Sequence, residues 1–197
     1  MEEHQKEYNQ IEIITDDTNG LVELDTVKRY NQDRATKIRN NFVGHLFPAK
    51  AELLQQILEK LNPKLVSPDE NELIVGLPTS GTIMAPALSL VRGTPYNFGI
   101  GHEFESKDTA FGFVEDERNK KPIYLYVLEK HHKVIIIEDE VTSGNGVIAL
   151  TKAIREWGAE VVEIATVVET LNFGARDKVK EATGLDLKSL VQIELKQ

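Results

Sequence analysis

From residue 72 onwards, short apolar runs rich in Val, Ile and Leu alternate with longer segments of helical periodicity. Apolar runs bounded by Gly, Pro or polar residues predict strands, and apolar residues at three- and four-residue steps predict helices. The predicted strands are 72–77, 94–100, 123–128, 134–137, 160–169 and 189–195. The predicted helices are 82–92, 147–157 and 175–184. This alternation restricts the chain to an α/β fold.

The clearest predicted strand, VIII at 134–137, has no polar position. Strands that are apolar on both faces are typical of a parallel sheet with helices packed on both sides. Ligands of such sheets bind at the carboxyl ends of the strands. Two polar turns stand at predicted strand ends, PTSG (78–81) and EDEVTSGNG (138–146). We therefore expect the functional residues in these two turns.

The N-terminal part of the chain follows a different pattern. IEII (11–14) predicts a short strand and DDTNG (16–20) predicts a turn. In residues 33–61 apolar residues recur at helical spacing. Pro48 divides this pattern into two predicted helices.

The 197 residues have the length of one compact domain, which we divide into an N-terminal segment (1–70) and a core (71–197). The chain has no cysteine, which excludes disulfides, Cys-ligated metals and a thiol nucleophile. A net charge of −9 argues against nucleic acid as a partner, because such partners select basic surfaces. The polar N-terminus excludes a secretory signal, and no apolar run reaches the roughly 20 residues of a membrane helix. We expect a cytoplasmic protein without membrane contact.

The segment VIIIEDEVTSGNG (134–146) leads from a strand through three acids into a turn and a predicted helix. Small residues and glycines in the turn let backbone N–H groups converge on one point, and the helix dipole adds positive charge there. This composition predicts a cradle for a phosphate or carboxylate, formed by Thr142, Ser143, Gly144, Asn145 and Gly146. An ordinary helix cap is the alternative, because most strand-to-helix turns contain such residues.

Glu138 and Asp139 immediately precede this cradle. Adjacent carboxylates accept hydrogen bonds from the vicinal hydroxyls of a ribose, and a ribose 5-phosphate spans the distance from there to the cradle. A solvated strand end explains one acid easily, but it explains three acids followed by an anion-binding turn less easily. Glu140 has no assigned partner in this scheme.

The segment 134–146 resembles the PRPP-binding signature of type I phosphoribosyltransferases, with four apolar residues, an acidic pair, two variable positions and a Thr/Ser–Gly loop. Glu140 and Gly146 depart from the usual pattern, which has a hydrophobic residue and a small hydroxyl residue there. The resemblance implies a parallel-sheet core with helices on both faces and a small hood subdomain, assigned to residues 1–70. It also implies PRPP and a nucleobase-like acceptor as partners, Mg²⁺ as cofactor, and a homodimer.

The resemblance further assigns a role to each motif. Glu138 and Asp139 would hold the ribose hydroxyls, and residues 142–146 would hold the 5-phosphate. Mg²⁺ would be held mainly through PRPP, near the acidic pair. GLPTSG (76–81) is similar to the family's pyrophosphate loop, which implies that the leaving pyrophosphate is bound by Pro78, Thr79, Ser80 and Gly81.

Residues 101–121 show no clear period and correspond to the family's mobile loop, with Lys107 as a candidate catalytic residue. Orotate enzymes carry several basic residues and a histidine there, whereas Phe104 and Thr109 occupy two of these positions. The C-terminal segment is similar to that of orotate phosphoribosyltransferases, so an orotate-like pyrimidine is the leading acceptor. The scarcity of basic residues favours an alternative, a non-catalytic PRPP or nucleotide sensor. Residues 33–47 also resemble phosphoribosyltransferase-like proteins of tellurium-resistance clusters, whose acceptor is unknown.

Overall fold

The computed structural model describes residues 7–28, 36–44, 48–105, 110–114 and 122–197. The strands are β1 (Gln10–Asp16), β2 (Leu24–Lys28), β3 (Thr36–Asn40), β4 (Glu72–Gly76), β5 (Tyr96–Phe98), β6 (Ala110–Val114), β7 (Pro122–Tyr126), β8 (Lys133–Val141), β9 (Glu160–Thr170) and β10 (Leu187–Lys196). The α-helices are α1 (Ala51–Leu61), α2 (Gly81–Arg92), α3 (Asn145–Trp157) and α4 (Ala175–Thr183). Of these helices none is both long and apolar enough to cross a membrane.

The main sheet has six strands in the order β1-β10-β9-β8-β4-β5. The five strands from β10 to β5 are parallel, and β1 pairs antiparallel with β10 at the edge. The parallel α/β sheet predicted from the sequence is therefore confirmed. Parallel strands joined by helices place all their carboxyl ends along one edge, so the turns after β4 and β8 become neighbours.

Helices cover both faces of this sheet, as the apolar strands predicted. Residues of α1 and α2 share an apolar cluster with Ile135 and Ile137 of β8. Residues of α3 and α4 share a second cluster with Val134 and Ile136 of the same strand. Alternate side chains of a strand point to opposite faces, and a fully buried aliphatic side chain contributes about 1.5–3 kcal/mol. β8 is therefore fixed from both sides up to the residues that precede its acids.

Two antiparallel hairpins lie outside the main sheet, one formed by β2 and β3 and one by β6 and β7. The predicted strand at 123–128 corresponds to β7, but it pairs with β6 rather than joining the parallel strands. β6 lies within residues 101–121, where the sequence pattern predicts no regular structure. The segment AFGFV is rich in aromatic residues that suit strands, but Gly112 interrupts its alternation.

One predicted helix is wrong. Residues 33–47 have helical spacing, but their described part contains β3, and the strand ends in a turn at Asn40. The Asn40 side chain accepts hydrogen bonds from the backbone N–H groups of Phe42 and Val43 at 3.3 and 3.0 Å. Such local bonds compete with helical backbone bonds. The second helix of that prediction is confirmed as α1.

The predicted turn at 16–20 is confirmed, and it is organised by one carboxylate. Asp16 accepts hydrogen bonds from the backbone N–H groups of Thr18 and Gly20 at 2.7 and 2.8 Å, and from the Thr18 hydroxyl. Burial alone raises the pKa of Asp16, but these hydrogen bonds outweigh it and leave the pKa below its ordinary value. The ionised form is thus favoured in the folded protein.

We expect Asp16→Ala to lower the free energy of unfolding at pH 7 by about 1–2 kcal/mol, because Thr18 and Gly20 lose their acceptor. A carboxyl group whose pKa is lower in the folded state stabilises the protein above its unfolded pKa of about 3.9. The difference between wild type and variant should therefore shrink as the pH falls below about 4. Urea unfolding at pH 7 and pH 3 measures both effects.

The neighbouring Asp17 provides the control for this experiment. Its side chain is 52% exposed and pairs with Lys64, and exposed ion pairs contribute about 1 kcal/mol or less. Asp17→Ala should therefore have the smaller effect at pH 7. Equal losses for the two variants would contradict the role assigned to the Asp16 carboxylate.

Candidate functional site

A pocket of about 210 Å³ lies at the carboxyl ends of β4 and β8. The predicted turns 78–81 and 138–146 meet there, although 56 residues separate them in the sequence.

 Its lining residues are Lys37, Leu77, Thr79, Ser80, Glu138, Asp139, Glu140, Val141, Thr142, Ser143, Gly144, Asn145, Gly146 and Val147. The lining includes the predicted acids, the whole predicted cradle and two residues of the predicted pyrophosphate loop. The structure thus brings these three predicted motifs together at one site.

The three acids belong to β8 rather than to the turn that follows it. Backbone pairing with β9 continues through Glu138, opposite Thr166, and Glu140, opposite Val168, to Val141. The sequence pattern placed the end of this strand before the acids, and that boundary is wrong because pairing with β9 extends the strand. A side chain on a paired strand has a restricted direction, so these carboxylates are held more firmly than loop residues would be.

Asp139 is the most buried of the three acids, with 9% of its surface exposed. The Asn40 side-chain amide donates a hydrogen bond to Asp139 Oδ2 at 3.0 Å. Asn40 stands at the end of β3, in the N-terminal segment, and Lys37 of the same strand lines the pocket. Sequence reasoning missed both residues, because nothing in their local pattern links them to a motif about 100 positions away.

Glu140, for which the sequence suggested no partner, accepts a hydrogen bond from the Thr170 hydroxyl at 3.3 Å. Thr170 is fully buried at the end of β9. Glu140 also lines the pocket. Its carboxylate is therefore held by the adjacent strand while it contributes negative charge to the site.

The loop between β4 and α2 is closed at its base by two glycines. A Cβ atom on Gly76 would lie 1.9 Å from the carbonyl oxygen of Gly81, which no side chain can tolerate. A Cβ atom on Gly81 would lie 2.5 Å from Glu138 Oε2. The two glycines therefore let the loop close on itself and bring its end against the acidic strand. The Pro78–Thr79 peptide bond within this loop is cis.

The cradle ends in the N-terminus of α3. Gly144 adopts the left-handed conformation with φ of 78°, which glycine accepts without steric cost. No hydrogen bond from a described side chain caps this helix start, and Asn145, Gly146 and Val147 of its first turn line the pocket. The first N–H groups of a helix lack partners within the helix. They are suited to bind an anion.

The start of α2 repeats this arrangement on the other side of the pocket. α2 begins at Gly81, directly after Thr79 and Ser80, which line the pocket, and no described side chain caps it. The Thr82 hydroxyl donates to the Thr79 carbonyl oxygen at 2.6 Å and thereby holds the loop in place. The N-terminus of α2 therefore lies directly after two residues that line the pocket, and a helix N-terminus favours negative charge.

The charged side chains along the described lining are three carboxylates and Lys37. A ligand with several phosphates would meet positive potential mainly from backbone N–H groups, helix dipoles and this lysine. No group of three or more His, Asp or Glu side chains with metal-binding geometry occurs in the part of the chain that the structure describes. Mg²⁺ is commonly bound by one or two carboxylates together with substrate phosphates and waters. The acidic strand end fits that mode of binding.

Lys107 and Thr109 lie outside the described residues, so Lys107 stays a prediction. Residues 101–105, the described beginning of the predicted mobile loop, contact β7. Tyr124 donates a hydrogen bond to Glu103 at 3.2 Å, and the rings of Phe104 and Tyr126 lie 5.8 Å apart. Desolvation, together with the Glu103 carboxylate, raises the pKa of Tyr124 above its ordinary value.

The family model of the phosphoribosyl transferase domain matches residues 45–193 of the sequence. The hypoxanthine/guanine phosphoribosyltransferase of Methanothermococcus okinawensis is 27% identical over 158 residues, which cover 79% of this chain and 85% of that protein. The protein of the same name from Methanotorris igneus is 30% identical over 146 residues, which cover 74% of this chain and 78% of that protein.

Solved structures show the same fold at lower sequence identity. Adenine phosphoribosyltransferase from Thermoanaerobacter pseudethanolicus superimposes with a TM-score of 0.67 and 18% identity, covering 86% of this chain and 95% of that chain. The adenine phosphoribosyl transferase of Trypanosoma brucei, in complex with AMP, pyrophosphate and ribose-5-phosphate, gives a TM-score of 0.66 and 14% identity, covering 89% of this chain and 78% of that chain.

Proposed function

Because the chain belongs to the phosphoribosyl transferase domain family, we propose that it transfers the phosphoribosyl group of PRPP to a purine base. Its relatives named above are hypoxanthine/guanine enzymes, which makes hypoxanthine and guanine the leading acceptors. These relatives favour a purine over the orotate-like pyrimidine predicted from the sequence. The homodimer and the base-binding hood at residues 1–70 remain predictions.

The observation that carries this proposal is the convergence of three motifs on one pocket. Glu138 and Asp139 accept hydrogen bonds from the ribose hydroxyls of PRPP. The backbone amides of residues 142–146 and the N-terminus of α3 hold the 5-phosphate, as helix N-termini do. Residues 78–81 at the start of α2 hold the pyrophosphate. These assignments retain the roles that the resemblance implied, and the pocket geometry supports them.

The reaction is a displacement at the anomeric carbon of PRPP. A ring nitrogen of the base forms a bond to this carbon, the bond from the carbon to pyrophosphate breaks, and pyrophosphate leaves with the electron pair. The proton of the attacking nitrogen passes to solvent. Positive charge develops on the ribose in the oxocarbenium-like transition state, and the carboxylates of Glu138 and Asp139 stabilise that charge at short range.

Placement of the reactants also contributes to catalysis in this scheme. The ribose is held at two ends, by the acidic strand and by the cradle, which limits its motion relative to the base. The carboxylates at the end of β8, near the bound pyrophosphate, are the residues that would hold Mg²⁺ together with the substrate. When bound, Mg²⁺ neutralises charge on the leaving pyrophosphate.

The proposal is tested by measuring pyrophosphate release from PRPP in the presence of Mg²⁺ and a panel of bases. We expect release with hypoxanthine or guanine, and less with adenine. Release with orotate alone would overturn the purine assignment. PRPP binding without turnover of any base would overturn the catalytic proposal and leave the non-catalytic sensor that the scarcity of basic residues in 101–121 first suggested.

A further inference from the structure

One asparagine connects the β2–β3 hairpin to the acidic strand. Asn40 stands at the end of β3, and its side chain makes three hydrogen bonds. Its Oδ1 accepts from the backbone N–H groups of Phe42 and Val43, and its Nδ2 donates to Asp139 Oδ2 at 3.0 Å. The amide thus contacts its own turn on one side and the pocket on the other.

The chemistry of the three bonds dictates how this amide is oriented. Backbone N–H groups require an acceptor, so they select Oδ1, and a carboxylate requires a donor, so it selects Nδ2. The reverse orientation would place an oxygen against the Asp139 carboxylate and an NH₂ group against two N–H groups. The turn at Phe42 and Val43 therefore forces Asn40 to present a donor to Asp139.

We propose that Asn40 is a positioning residue that holds the Asp139 carboxylate in the orientation needed to bind the ribose of PRPP. This inference rests on the proposed function, because it concerns the residue assigned to the ribose hydroxyls. Asn40 engages Oδ2, which leaves the second oxygen of Asp139 available to a ligand in the pocket that Asp139 lines. A hydrogen bond to a charged group is stronger than one between neutral groups, so one amide suffices to restrict the carboxylate.

Two substitutions separate this role from a purely structural one. Asn40→Ala removes both the acceptor for the turn and the donor for Asp139. Asn40→Asp keeps the acceptor for Phe42 and Val43 but replaces the donor with a second carboxylate facing Asp139, and like charges at this range repel. A structural role predicts that Asn40→Asp binds PRPP as well as wild type. A positioning role predicts that Asn40→Asp is the weaker of the two variants.

The adjacent Asn41 provides a matched control in the same turn. Its side chain donates to the Leu21 carbonyl oxygen at 3.1 Å and accepts from the Glu23 N–H group at 3.2 Å. These bonds attach the hairpin to the preceding segment without involving Asp139. Asn41→Ala therefore disturbs the hairpin but leaves the carboxylate and its donor intact.

The experiment measures PRPP affinity by calorimetry with Mg²⁺, the KM for PRPP and for the base, and stability by urea unfolding. We expect PRPP affinity to fall about tenfold in Asn40→Ala and about 100-fold in Asn40→Asp, while Asn41→Ala stays within about twofold of wild type. The KM for the base at saturating PRPP should change little in all three variants.

The outcomes distinguish this inference from the proposed function. If wild type binds PRPP but Asn40→Asp binds it equally well, the positioning role is overturned while the function stands. Equal losses in Asn40→Ala and Asn41→Ala, in proportion to lost stability, would also overturn it. A wild-type protein that does not bind PRPP would instead contradict the proposed function itself.

Discussion

Replacement of both Glu138 and Asp139 by alanine is expected to weaken PRPP binding by a factor of about 10²–10⁴, because two hydrogen bonds to charged groups are lost at about 1.5–3 kcal/mol each. Both carboxylates lie on a strand whose pairing with β9 continues past them. The binding site therefore loses ligand contacts that a shift of the surrounding loop cannot replace. Titration calorimetry with PRPP and Mg²⁺ measures the effect directly.

Glu140→Ala is the matched control for the double variant. Glu140 lines the same pocket on the same strand, but it is held by Thr170 and has no ribose contact in the proposed scheme. We expect a smaller loss of PRPP affinity from this variant. Urea unfolding establishes that each variant is folded at the temperature of the titration. Unchanged affinity in a folded double variant would show that the ribose role is wrong.

Replacement of Glu72 by alanine is expected to lower the free energy of unfolding by about 3–5 kcal/mol, because it leaves a buried guanidinium without its counter-ion. Glu72 opens β4 and Arg92 closes α2, and each side chain is only 1% exposed. Arg92 donates to the two Glu72 carboxylate oxygens at 2.7 and 2.6 Å. Arg92 also donates to the side-chain oxygen of Asn62 and to the carbonyl oxygen of Val66, but these acceptors are neutral and cannot replace the negative charge of Glu72.

The control for this prediction removes both charges at once. A Glu72→Met, Arg92→Met double variant leaves no unpaired ion and should recover much of the loss, as seen when buried ion pairs are replaced by apolar side chains of similar volume. The more exposed pair of Asp69 and Lys133, whose side chains are 35% and 40% exposed, offers a second comparison. The expected loss on Asp69→Ala is about 1 kcal/mol. Urea unfolding of the four proteins provides the measurement. Equal losses for Glu72→Ala and Asp69→Ala would contradict the importance of burial.

Much of the core could be predicted because its signals are local. The continuous apolar strand at 134–137 and the helical spacing of 147–157 each depend on neighbouring residues, and both were assigned correctly in type. The helix predicted at 33–47 failed because the spacing of Ile38 and Phe42 suits a helix, whereas the side chain of Asn40 closes a turn between them. Periodicity alone does not register such competing hydrogen bonds.

The features of the candidate site also fall into those that the sequence predicted and those that only the structure revealed. The sequence by itself was enough to single out the loop 78–81, the acidic pair and the Gly-rich segment predicted to hold an anion, because each is a contiguous run of residues whose chemistry can be judged locally. Only the tertiary structure decided that β8 continues through its acids, that Glu140 meets Thr170, and that Lys37 and Asn40 reach the pocket. These features depend on pairing between distant strands, and a single sequence carries no local signal for the partner that a strand or a side chain will meet.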